Sequence, residues 1–445
     1  MPYAVMETNT EDKLILIAKH AKEKPGMQFT SLIHLMNARY LKNCYHLLKT
    51  GKAAGIDGRT LESYTKEQMY QAIEDTVRLI KKGRYKPRPV RQVYIDKENG
   101  EKRSLGIPTV IDKLIQIGVT RILEAIYEQT FLPVNFGYRP LKGAHGALKE
   151  INHMIMQEKV NWIVEADIKG FFDNIDHNWM MRCLGERIKD PNFKLLIKKF
   201  LKAGTMKENI ISKTSKGTPQ GGIISPMLTN IYLHYVLDLW FEKREKNKIA
   251  GYTQLVRYAD DFIIGVQHKL EAERIKYDLA ERLSKFGLEL SEQKTKIIEF
   301  GRFASENSKR KGKRKPDTFD FLGFTHYCAI TRDGRFKMGV RTSRKRLSKA
   351  IVTMNTWLKG VRNLTQTETI WEKLNQKLTG HYNYYGISGN FDSIRQYYYK
   401  TIRLAFKWMN RRSRVKSWNC EKFEKYLKQY PLATPKLTYA IYNTW

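Results

Sequence analysis

Two adjacent carboxylates interrupt an apolar stretch in the second half of the chain. The peptide YADD, residues 258–261, lies between the apolar runs 255–256 and 262–265. Because Asp tolerates the backbone of a tight turn, the pattern predicts the tip of a β-hairpin that presents Asp260 and Asp261 side by side. Adjacent like charges are stabilised by a cation, and hard oxygen ligands suit Mg²⁺. Taken alone, such a peptide is more often a solvated acidic turn.

A two-metal phosphoryl-transfer site also needs a second acidic segment, because one loop cannot surround two ions about 3.5–4 Å apart. Residues 161–168 provide one. By the period of two, Glu165 and Asp167 fall on one side of this strand, while alternate apolar residues pack on the other. Asp167 ends the strand, and a Lys-Gly turn follows it. Phe171 and Phe172 come next and would line a pocket just beyond the carboxylates.

Three ordered segments are DIKGFFD at 167–173, GTPQGGIISP at 217–226 and YADD at 258–261. They resemble the palm motifs of reverse transcriptases, and most closely those of the bacterial group II intron-encoded reverse transcriptase, or maturase, family. The middle motif keeps a form from which diversity-generating retroelement enzymes depart, and the Val-Thr-Gly signature of retron enzymes is not found. Shorter family-like segments extend the resemblance from about residue 30 to about residue 330, and more loosely to the end: GIDG at 55–58, RSLGIP at 103–108, FGYRP at 136–140, GLELS at 287–291 and FLGF at 321–324.

The resemblance implies an α+β fold of the right-hand polymerase type, with fingers, a palm that carries an antiparallel sheet, and an α-helical thumb. The periodicity of the apolar residues agrees with part of this fold. Residues 112–127 have the apolar pattern of a helix, and residues 90–95 alternate like a strand before a turn-forming Asn-Gly pair. Many relatives continue into an HNH endonuclease, and we expect the form without that domain. The expected domains are an N-terminal helical extension of the fingers at 1–50, fingers and palm at 51–335, a helical thumb or maturase region at 336–402, and a basic nucleic-acid-binding segment at 403–445.

Composition independently predicts nucleic-acid partners. Lys and Arg number 80 against 45 Asp and Glu, and the resulting net charge of +35 is typical of proteins that work on phosphate backbones. The resemblance specifies the partners as a group II intron RNA or another template RNA, a DNA primer or target, and dNTPs. No stretch approaches the roughly 18 uninterrupted apolar residues of a membrane span, so no membrane partner is expected. The four cysteines are scattered without a Cys-x-x-Cys pair, which fits a reducing cytoplasm. The resemblance implies the bacterial cytoplasm or nucleoid.

The resemblance also implies the composition of the active site. Asp167 and Asp260 would bridge two Mg²⁺ ions, for which Mn²⁺ is an alternative, while Asp261 supports them and the backbone carbonyl of Ile168 completes a coordination shell. Phe172 stands at the position of a steric gate that excludes a ribose 2′-OH, although a core position stays open for it and for its neighbour. The residues expected to contact the incoming dNTP are Lys97, Arg103, Phe171, Phe172 and Gln220.

A separate set of residues is expected to contact the template–primer duplex. Arg139 would face the template or simply pair with an acid. Tyr382, Tyr384 and Tyr385 could stack on bases, but aromatics of a helical thumb are more often core. Expected template and primer contacts are Arg139, Gly221, Gly222, Leu322 and Gly323, and the expected basic surface comprises Arg341, Arg344, Arg403, Lys407, Arg411, Arg412 and Arg414.

The combined expectation is an RNA-directed DNA polymerase that binds a structured group II intron RNA, assists its splicing and copies it into DNA during retrohoming. Two alternatives stay open. One is a maturase that acts mainly as an RNA-binding splicing factor, and the other is a standalone enzyme used in phage defence or DNA repair. The intact carboxylate set favours retained catalysis, and an intron RNA fold around the reading frame would favour the intron-encoded roles.

Overall fold

The computed structural model describes residues 10–96, 102–207, 210–212, 215–218, 221–364, 366–412 and 418–442. None of the described helices is long and apolar enough to cross a membrane. The helices are α1 (Thr10–Glu23), α2 (Ala38–Tyr45), α3 (Lys66–Lys81), α4 (Val110–Tyr127), α5 (Ala144–Gln157), α6 (Phe171–Asn174), α7 (His177–Gly185), α8 (Pro191–Leu201), α9 (Ser225–Leu233), α10 (Lys269–Ser284), α11 (Ala304–Arg310), α12 (Arg344–Val361), α13 (Thr367–Tyr385), α14 (Phe391–Met409) and α15 (Cys420–Gln429). The strands are β1 (Val90–Asp96), β2 (Lys102–Ile107), β3 (Trp162–Asp167), β4 (Thr205–Lys207), β5 (Ile210–Ser212), β6 (Thr253–Tyr258), β7 (Asp261–Val266), β8 (Lys296–Glu299), β9 (Phe319–Phe321), β10 (Phe324–Ile330) and β11 (Phe336–Thr342).

The N-terminal helices begin at recognisable capping residues. The Asn37 side chain accepts a hydrogen bond from the Tyr40 backbone N–H and caps α2, while Thr65 and Gln68 form a capping box at the start of α3. Thr109 caps α4 in the same way. Because α1, α2 and α9 all pack on α4, that helix is buried around most of its circumference and organises the largest apolar core.

The first of two four-stranded sheets has the order β2-β1-β4-β5. β1 and β2 form the antiparallel hairpin predicted from the alternating pattern, with Val93 opposite Leu105. The turn between them, residues 97–101, lies outside the described residues. Pairing of β1 with β4 ties this hairpin to the segment that precedes the GTPQGG loop.

The second four-stranded sheet has the order β6-β7-β3-β8, with every neighbouring pair antiparallel. Apolar residues on both faces of β3 are buried, with Ile163 in one core and Val164 and Ala166 in another. β6 ends at Tyr258 and β7 begins at Asp261, so the predicted hairpin at YADD is confirmed. A sheet packed on both faces is a rigid support for the side chains at its ends.

The C-terminal part combines a three-stranded antiparallel sheet, in the order β11-β10-β9, with a helical bundle. Helices α12, α13 and α14 share a core that includes Leu358, Leu374 and Ile394. The expected domain boundary between residues 402 and 403 falls inside α14, which continues to Met409. The expected boundary at 335 and 336 falls between the two strands of the β10–β11 hairpin.

Candidate active site

The carboxylates predicted to bind metal lie at one end of the central sheet. Ala259 and Asp260 form the two-residue turn between β6 and β7, which pair through Tyr258 and Asp261. In the register of the sheet, Asp167 at the end of β3 lies directly opposite Asp261. The hairpin tip and the strand end therefore bring three carboxylates from two separate segments to one place.

The buried guanidinium of Arg257 holds this turn through a hydrogen bond to its backbone. Ala259 has a φ of 57°, a conformation that residues with a Cβ adopt at an energetic cost. Its carbonyl accepts a 2.9 Å hydrogen bond from Nη1 of Arg257, a residue with no exposed surface. Arg257 also donates to both carboxylate oxygens of Asp238, at 2.7 and 2.6 Å, and to Oδ1 of Asn230 at 3.2 Å. The bidentate ion pair neutralises the buried charge and fixes the donor that holds the turn.

The backbone of the FGYRP motif packs against the same turn. The Phe136 N–H donates to the Arg257 carbonyl at 2.8 Å. A Cβ on Gly137 would overlap the backbone nitrogen of Ala259, so glycine is the residue that permits this close approach. Nδ2 of Asn230 donates to the Gly137 carbonyl at 2.7 Å and completes the contact.

The GLELS motif positions a lysine beside the first carboxylate. Ile168 forms an antiparallel bridge with Leu290, and the Ser291 N–H donates to the Asp167 carbonyl at 2.8 Å. This register directs the Ile168 carbonyl away from Leu290 and toward the β7 side of the strand. Further along, Nζ of Lys294 donates to Oδ2 of Asp167 at 2.9 Å. Asp167 therefore already contacts a cationic side chain.

The three carboxylates influence one another electrostatically. Asp261 is accessible to solvent, but the surrounding protein restricts its hydration and, with the Asp260 and Asp167 carboxylates, raises its pKa to about 6. The hydrogen bond to Asp167 raises the pKa of the Lys294 ammonium. A carboxylate whose ionisation is opposed by its surroundings gains most from a nearby cation.

The donor set fits Mg²⁺ by its chemistry, since carboxylates and a backbone carbonyl are hard oxygen ligands. Across the part of the chain that the structure describes, no three His, Cys, Asp or Glu side chains converge as a preformed metal site. A divalent ion would have to compete with the Lys294 ammonium for the Asp167 carboxylate.

The two aromatic residues of DIKGFFD differ in burial. Phe171 is 2% exposed and lies in the largest apolar core, so the expectation that it contacts a nucleotide is corrected. Phe172 is half-buried at the edge of that core. The Thr218 N–H donates to the Phe172 carbonyl at 2.8 Å. This bond places the GTPQGG loop beside Phe172, as a shared nucleotide site requires.

The GTPQGG loop is also tied to the first sheet and to α4. Gly221 lies against the Gly106 carbonyl of β2, and Gly222 is buried. Oε1 of Gln116 accepts a 2.8 Å hydrogen bond from the Ile223 N–H at the start of the following helical region. Gly221 therefore contacts the β1–β2 hairpin, and Thr218 contacts the segment that follows β3.

Three other residues, Lys97, Arg103 and Gln220, are expected to contact the nucleotide. Lys97 and Gln220 lie outside the described residues, and so they stay predictions. Arg103 is described by its backbone, which pairs with Ile95 in the β1–β2 hairpin. The β2 strand contacts Gly221 through Gly106, near the end of the hairpin opposite its turn.

Arg139 points into the protein. Nε and Nη2 donate to Oε1 of Glu128 at 2.9 and 2.7 Å, and Nη1 donates to the Leu132 and Asn135 carbonyls at 2.8 and 3.0 Å. The side chain is 7% exposed. Of the two roles that the sequence left open, the structure shows the ion pair with an acid. The expected template contact is corrected, because these bonds hold the guanidinium within the loop that precedes α5.

The FLGF turn is held by the helical region. Leu322 and Gly323 have φ values of 49° and 82°, the left-handed pair of a two-residue hairpin turn between β9 and β10. Oη of Tyr384 donates to the Leu322 carbonyl at 2.9 Å. A Cβ on Gly323 would lie 3.3 Å from Oη of Tyr385, while Tyr382 has no exposed surface. These tyrosines therefore stabilise the turn and the core.

The expected basic surface is divided between the start of α12 and the end of α14. Arg412 is half-buried, and its Nη1 donates to Oγ1 of Thr367 at 2.5 Å. Arg414 lies outside the described residues. The remaining members are exposed: Arg341, Arg344, Arg403, Lys407 and Arg411.

Comparison with known proteins identifies the family. A sequence profile of the reverse transcriptase (RNA-dependent DNA polymerase) family matches residues 95–326, which include all three palm-like motifs. Group II intron-encoded protein LtrA of Lactococcus lactis subsp. cremoris is 33% identical over 462 residues, covering 86% of this chain and 75% of LtrA. The chain belongs to the group II intron-encoded reverse transcriptase family. Its activity is RNA-directed DNA polymerisation, and the resemblance found in the sequence is confirmed.

Two further relatives share long stretches with this reverse transcriptase. Protein YkfC of Escherichia coli (strain K12) is 30% identical over 317 residues, covering 63% of this chain and 82% of YkfC. A 91 kDa protein in the cob intron of Schizosaccharomyces pombe is 31% identical over 347 residues, covering 65% of this chain and 42% of that protein. The mixed α/β architecture with antiparallel sheets agrees with the family assignment.

Sequence reasoning missed the residues that support the carboxylates. A signal for Arg257 was present, because a charged residue inside an apolar strand requires a buried acidic partner. No local signal identifies that partner, which lies 19 residues away in the π-helical segment His234–Asp238. The missed residues are Gly137, Asn230, Asp238, Arg257 and Lys294.

Removing the buried cation should destabilise the protein. Arg257→Gln leaves the Asp238 carboxylate buried without its partner, so we expect the free energy of unfolding to fall by about 3–5 kcal/mol. The double variant Arg257→Met, Asp238→Leu removes the unpaired charge and should recover most of this loss in urea unfolding. Arg335→Gln, at a side chain 80% exposed, is the control.

The same double variant separates stability from turn geometry. It still lacks a donor to the Ala259 carbonyl, so we expect its primer-extension rate to stay about tenfold or more below that of the wild type. Full recovery of extension together with stability would show that this hydrogen bond is dispensable.

Glu165 should make stability depend on pH. Burial, with added repulsion from Asp320, Asp261 and Asp167, raises the pKa of Glu165 from 4.5 to about 7 despite Lys296. Since the folded state holds this proton more tightly, the stabilisation is present below pH 4.5 and is lost as pH rises through about 7. In EDTA, Glu165→Gln should raise the free energy of unfolding by on the order of 1–2 kcal/mol at pH 8, and by much less at pH 5. Equal changes at the two pH values in urea unfolding would contradict this account.

Proposed function

We propose that this reverse transcriptase extends a DNA primer on an RNA template with Asp167, Asp260 and Asp261 as its catalytic carboxylates. The observation that carries the proposal is the register that puts Asp167 opposite Asp261 at the hairpin tip. Two Mg²⁺ ions bound there would make the primer 3′-OH a better nucleophile and offset charge on the leaving pyrophosphate. Mn²⁺, which also takes oxygen ligands, is the alternative ion.

The protein's own contribution is to hold oxygen ligands in fixed positions. We assign Asp167 and Asp260 as bridging ligands, Asp261 as a supporting ligand and the Ile168 carbonyl as a further donor. Small displacements of reacting groups slow such a reaction strongly, because in-line displacement depends on orientation. The hydrogen bond from Arg257 to the Ala259 carbonyl supports this assignment, since it restrains the turn that carries two of the ligands.

Selection of the sugar is assigned to Phe172. Its backbone is fixed by Thr218, and its ring is half-buried beside the GTPQGG loop. An aromatic ring next to C2′ leaves no room for a ribose hydroxyl, so deoxynucleotides are preferred. Lys97, Arg103 and Gln220 complete the proposed dNTP site, with the two basic residues contacting the triphosphate.

The proposed arrangement is a right hand. The fingers comprise the extension at 1–50 and the β1–β2 hairpin region, the palm is the central sheet within 51–335, and the thumb is the helical bundle that begins after β11. The bundle includes the whole of α14, and the basic C-terminal segment follows it. Gly221, Leu322 and Gly323 are the proposed template and primer contacts, while Gly222, which is buried, is removed from the expected set.

We further propose that the RNA partner is a structured group II intron RNA, whose splicing the protein assists and which it copies into DNA at a target site. The net charge of +35 and the exposed cations outside the palm support binding to a large RNA. A role mainly as an RNA-binding splicing factor uses the same surface without the carboxylates. The bacterial cytoplasm or nucleoid is the proposed compartment.

The carboxylate assignment predicts two inactive variants. Asp167→Asn and Asp260→Asn each remove a bridging charge, so primer extension on an RNA template should be abolished while template–primer affinity is retained. Asp317→Asn, at an exposed surface carboxylate, is the matched control. An Asn variant that polymerised within about tenfold of the wild type would remove that carboxylate from the catalytic set.

The sugar assignment predicts a change in selectivity. Phe172→Ala opens space beside C2′, so the ratio of kcat/KM for ribonucleotides over deoxynucleotides should rise by about tenfold or more. The exposed Phe303 provides the control substitution Phe303→Ala. Single-nucleotide incorporation kinetics give the ratio, and an unchanged value for Phe172→Ala would return this ring to a purely structural role.

A further inference from the structure

A cavity of about 350 Å³ opens between α12, α13 and α14. Its volume lies at the lower end of the range for small-ligand sites, about 300–1,000 Å³. Its lining combines three cationic side chains with three aromatic ones: Arg346, Lys349, Lys377, His381, Tyr385 and Tyr397.

The cations come from two different helices. Arg346 and Lys349 are one turn apart on α12, and Lys377 lies on α13 with its Nζ 4.8 Å from the centre of the Trp357 ring. Among the described residues that line the cavity there is no Asp or Glu. Like charges around one concave surface raise its positive potential, so an anion is the ligand that this lining binds best.

A histidine supplies a neutral donor in the same cavity. The His381 ring stacks on Tyr397, with centres 3.8 Å apart, and contacts Tyr385 at 4.6 Å. Its Nε2 is buried and has no hydrogen-bond partner within the described ranges. Burial lowers the pKa of His381 to about 4, so the ring is neutral near pH 7. In the Nε2–H tautomer it can donate to a ligand oxygen and satisfy this buried atom.

Arg346 connects the cavity with the FLGF turn. Its Cγ lies 3.6 Å from the point that a Cβ on Gly323 would occupy, beside Oη of Tyr385. The cavity therefore borders the turn whose Leu322 and Gly323 are proposed primer contacts.

We propose that this cavity binds one backbone phosphate of the primer strand, upstream of its 3′ end. The proposal rests on the proposed function, because it takes the primer terminus to lie at Asp260 and Asp261. Arg346, Lys349 and Lys377 supply the charge that neutralises the phosphate, and His381 supplies a directional hydrogen bond. The continuity through Arg346 favours the primer over the template strand or a separate RNA. A phosphate held here fixes the distance between the body of the primer and its reacting end.

The test uses template–primer duplexes in which one phosphate at a time is replaced by a neutral methylphosphonate, in either strand. Binding is measured for the wild-type protein, Lys349→Gln, Lys377→Gln and His381→Phe, which keeps an aromatic ring but removes Nε2. We expect the wild type to lose about tenfold in affinity at one primer position. The three variants should bind the unmodified duplex more weakly and show no further loss at that position. The two lysine variants should also reduce the salt slope by about 0.7–0.9 log unit.

Lys359→Gln, an exposed lysine on α12 outside the cavity, should behave as the wild type does. The proposal is overturned if the variants keep the wild-type loss at that primer position, or if their effects appear only with template-strand substitutions or with a separate structured RNA. Failure of the proposed function has a different signature, since the wild-type protein would then not extend the unmodified primer on RNA.

Discussion

The buried ion pair between Arg257 and Asp238 is the interaction on which the geometry of the catalytic turn depends. A guanidinium with no exposed surface is tolerated because a carboxylate meets it with two short hydrogen bonds. Its remaining donors reach the Ala259 carbonyl and Asn230. The hydrogen bond from Arg257 thus helps to maintain the left-handed backbone of Ala259. Gly137 allows the FGYRP backbone to pack closely against the same residue. Functional sites commonly retain such strain where neighbouring contacts outweigh its cost.

Charge is distributed in a complementary way around that turn. The chain carries a net charge of +35, yet three carboxylates meet at the end of the central sheet. Restricted hydration and, after it, repulsion from the Asp260 and Asp167 carboxylates raise the pKa of Asp261, and the Lys294 ammonium, which is hydrogen-bonded to Asp167, opposes this rise. Cations that bind at this place lower the free energy of the cluster, whereas the surrounding basic surface favours the phosphates of nucleic acid. The protein thereby provides oxygen ligands for metal ions at the turn and cationic side chains for the nucleic acid around it.

The FLGF turn is held by contacts with the helical bundle. Tyr384 holds the Leu322 carbonyl, and Arg346 lies between Gly323 and the bundle cavity. A change in the position of the bundle would therefore be transmitted to the FLGF turn.

The sequence predicted what local patterns determine. The alternation of apolar and polar residues predicts β3 and the YADD hairpin, because the period of a strand and the chemistry of a turn are encoded by neighbouring residues. The order of the motifs along the chain predicts the family. The sequence leaves two roles open for Arg139, a template contact or an ion pair, and two for Phe171, a nucleotide contact or the core. Local pattern does not decide between them, because the burial of both residues depends on distant segments that pack on them. The pairing of Arg257 with Asp238 was missed for the same reason.

Primer extension on an RNA template with controlled divalent ions tests the central claim most directly. The account predicts that the wild-type protein extends a DNA primer with dNTPs in Mg²⁺, stops when the ions are chelated, and resumes when Mg²⁺ is restored. Extension that continued in excess chelator, or a protein that bound template–primer in Mg²⁺ without extending it, would contradict the account.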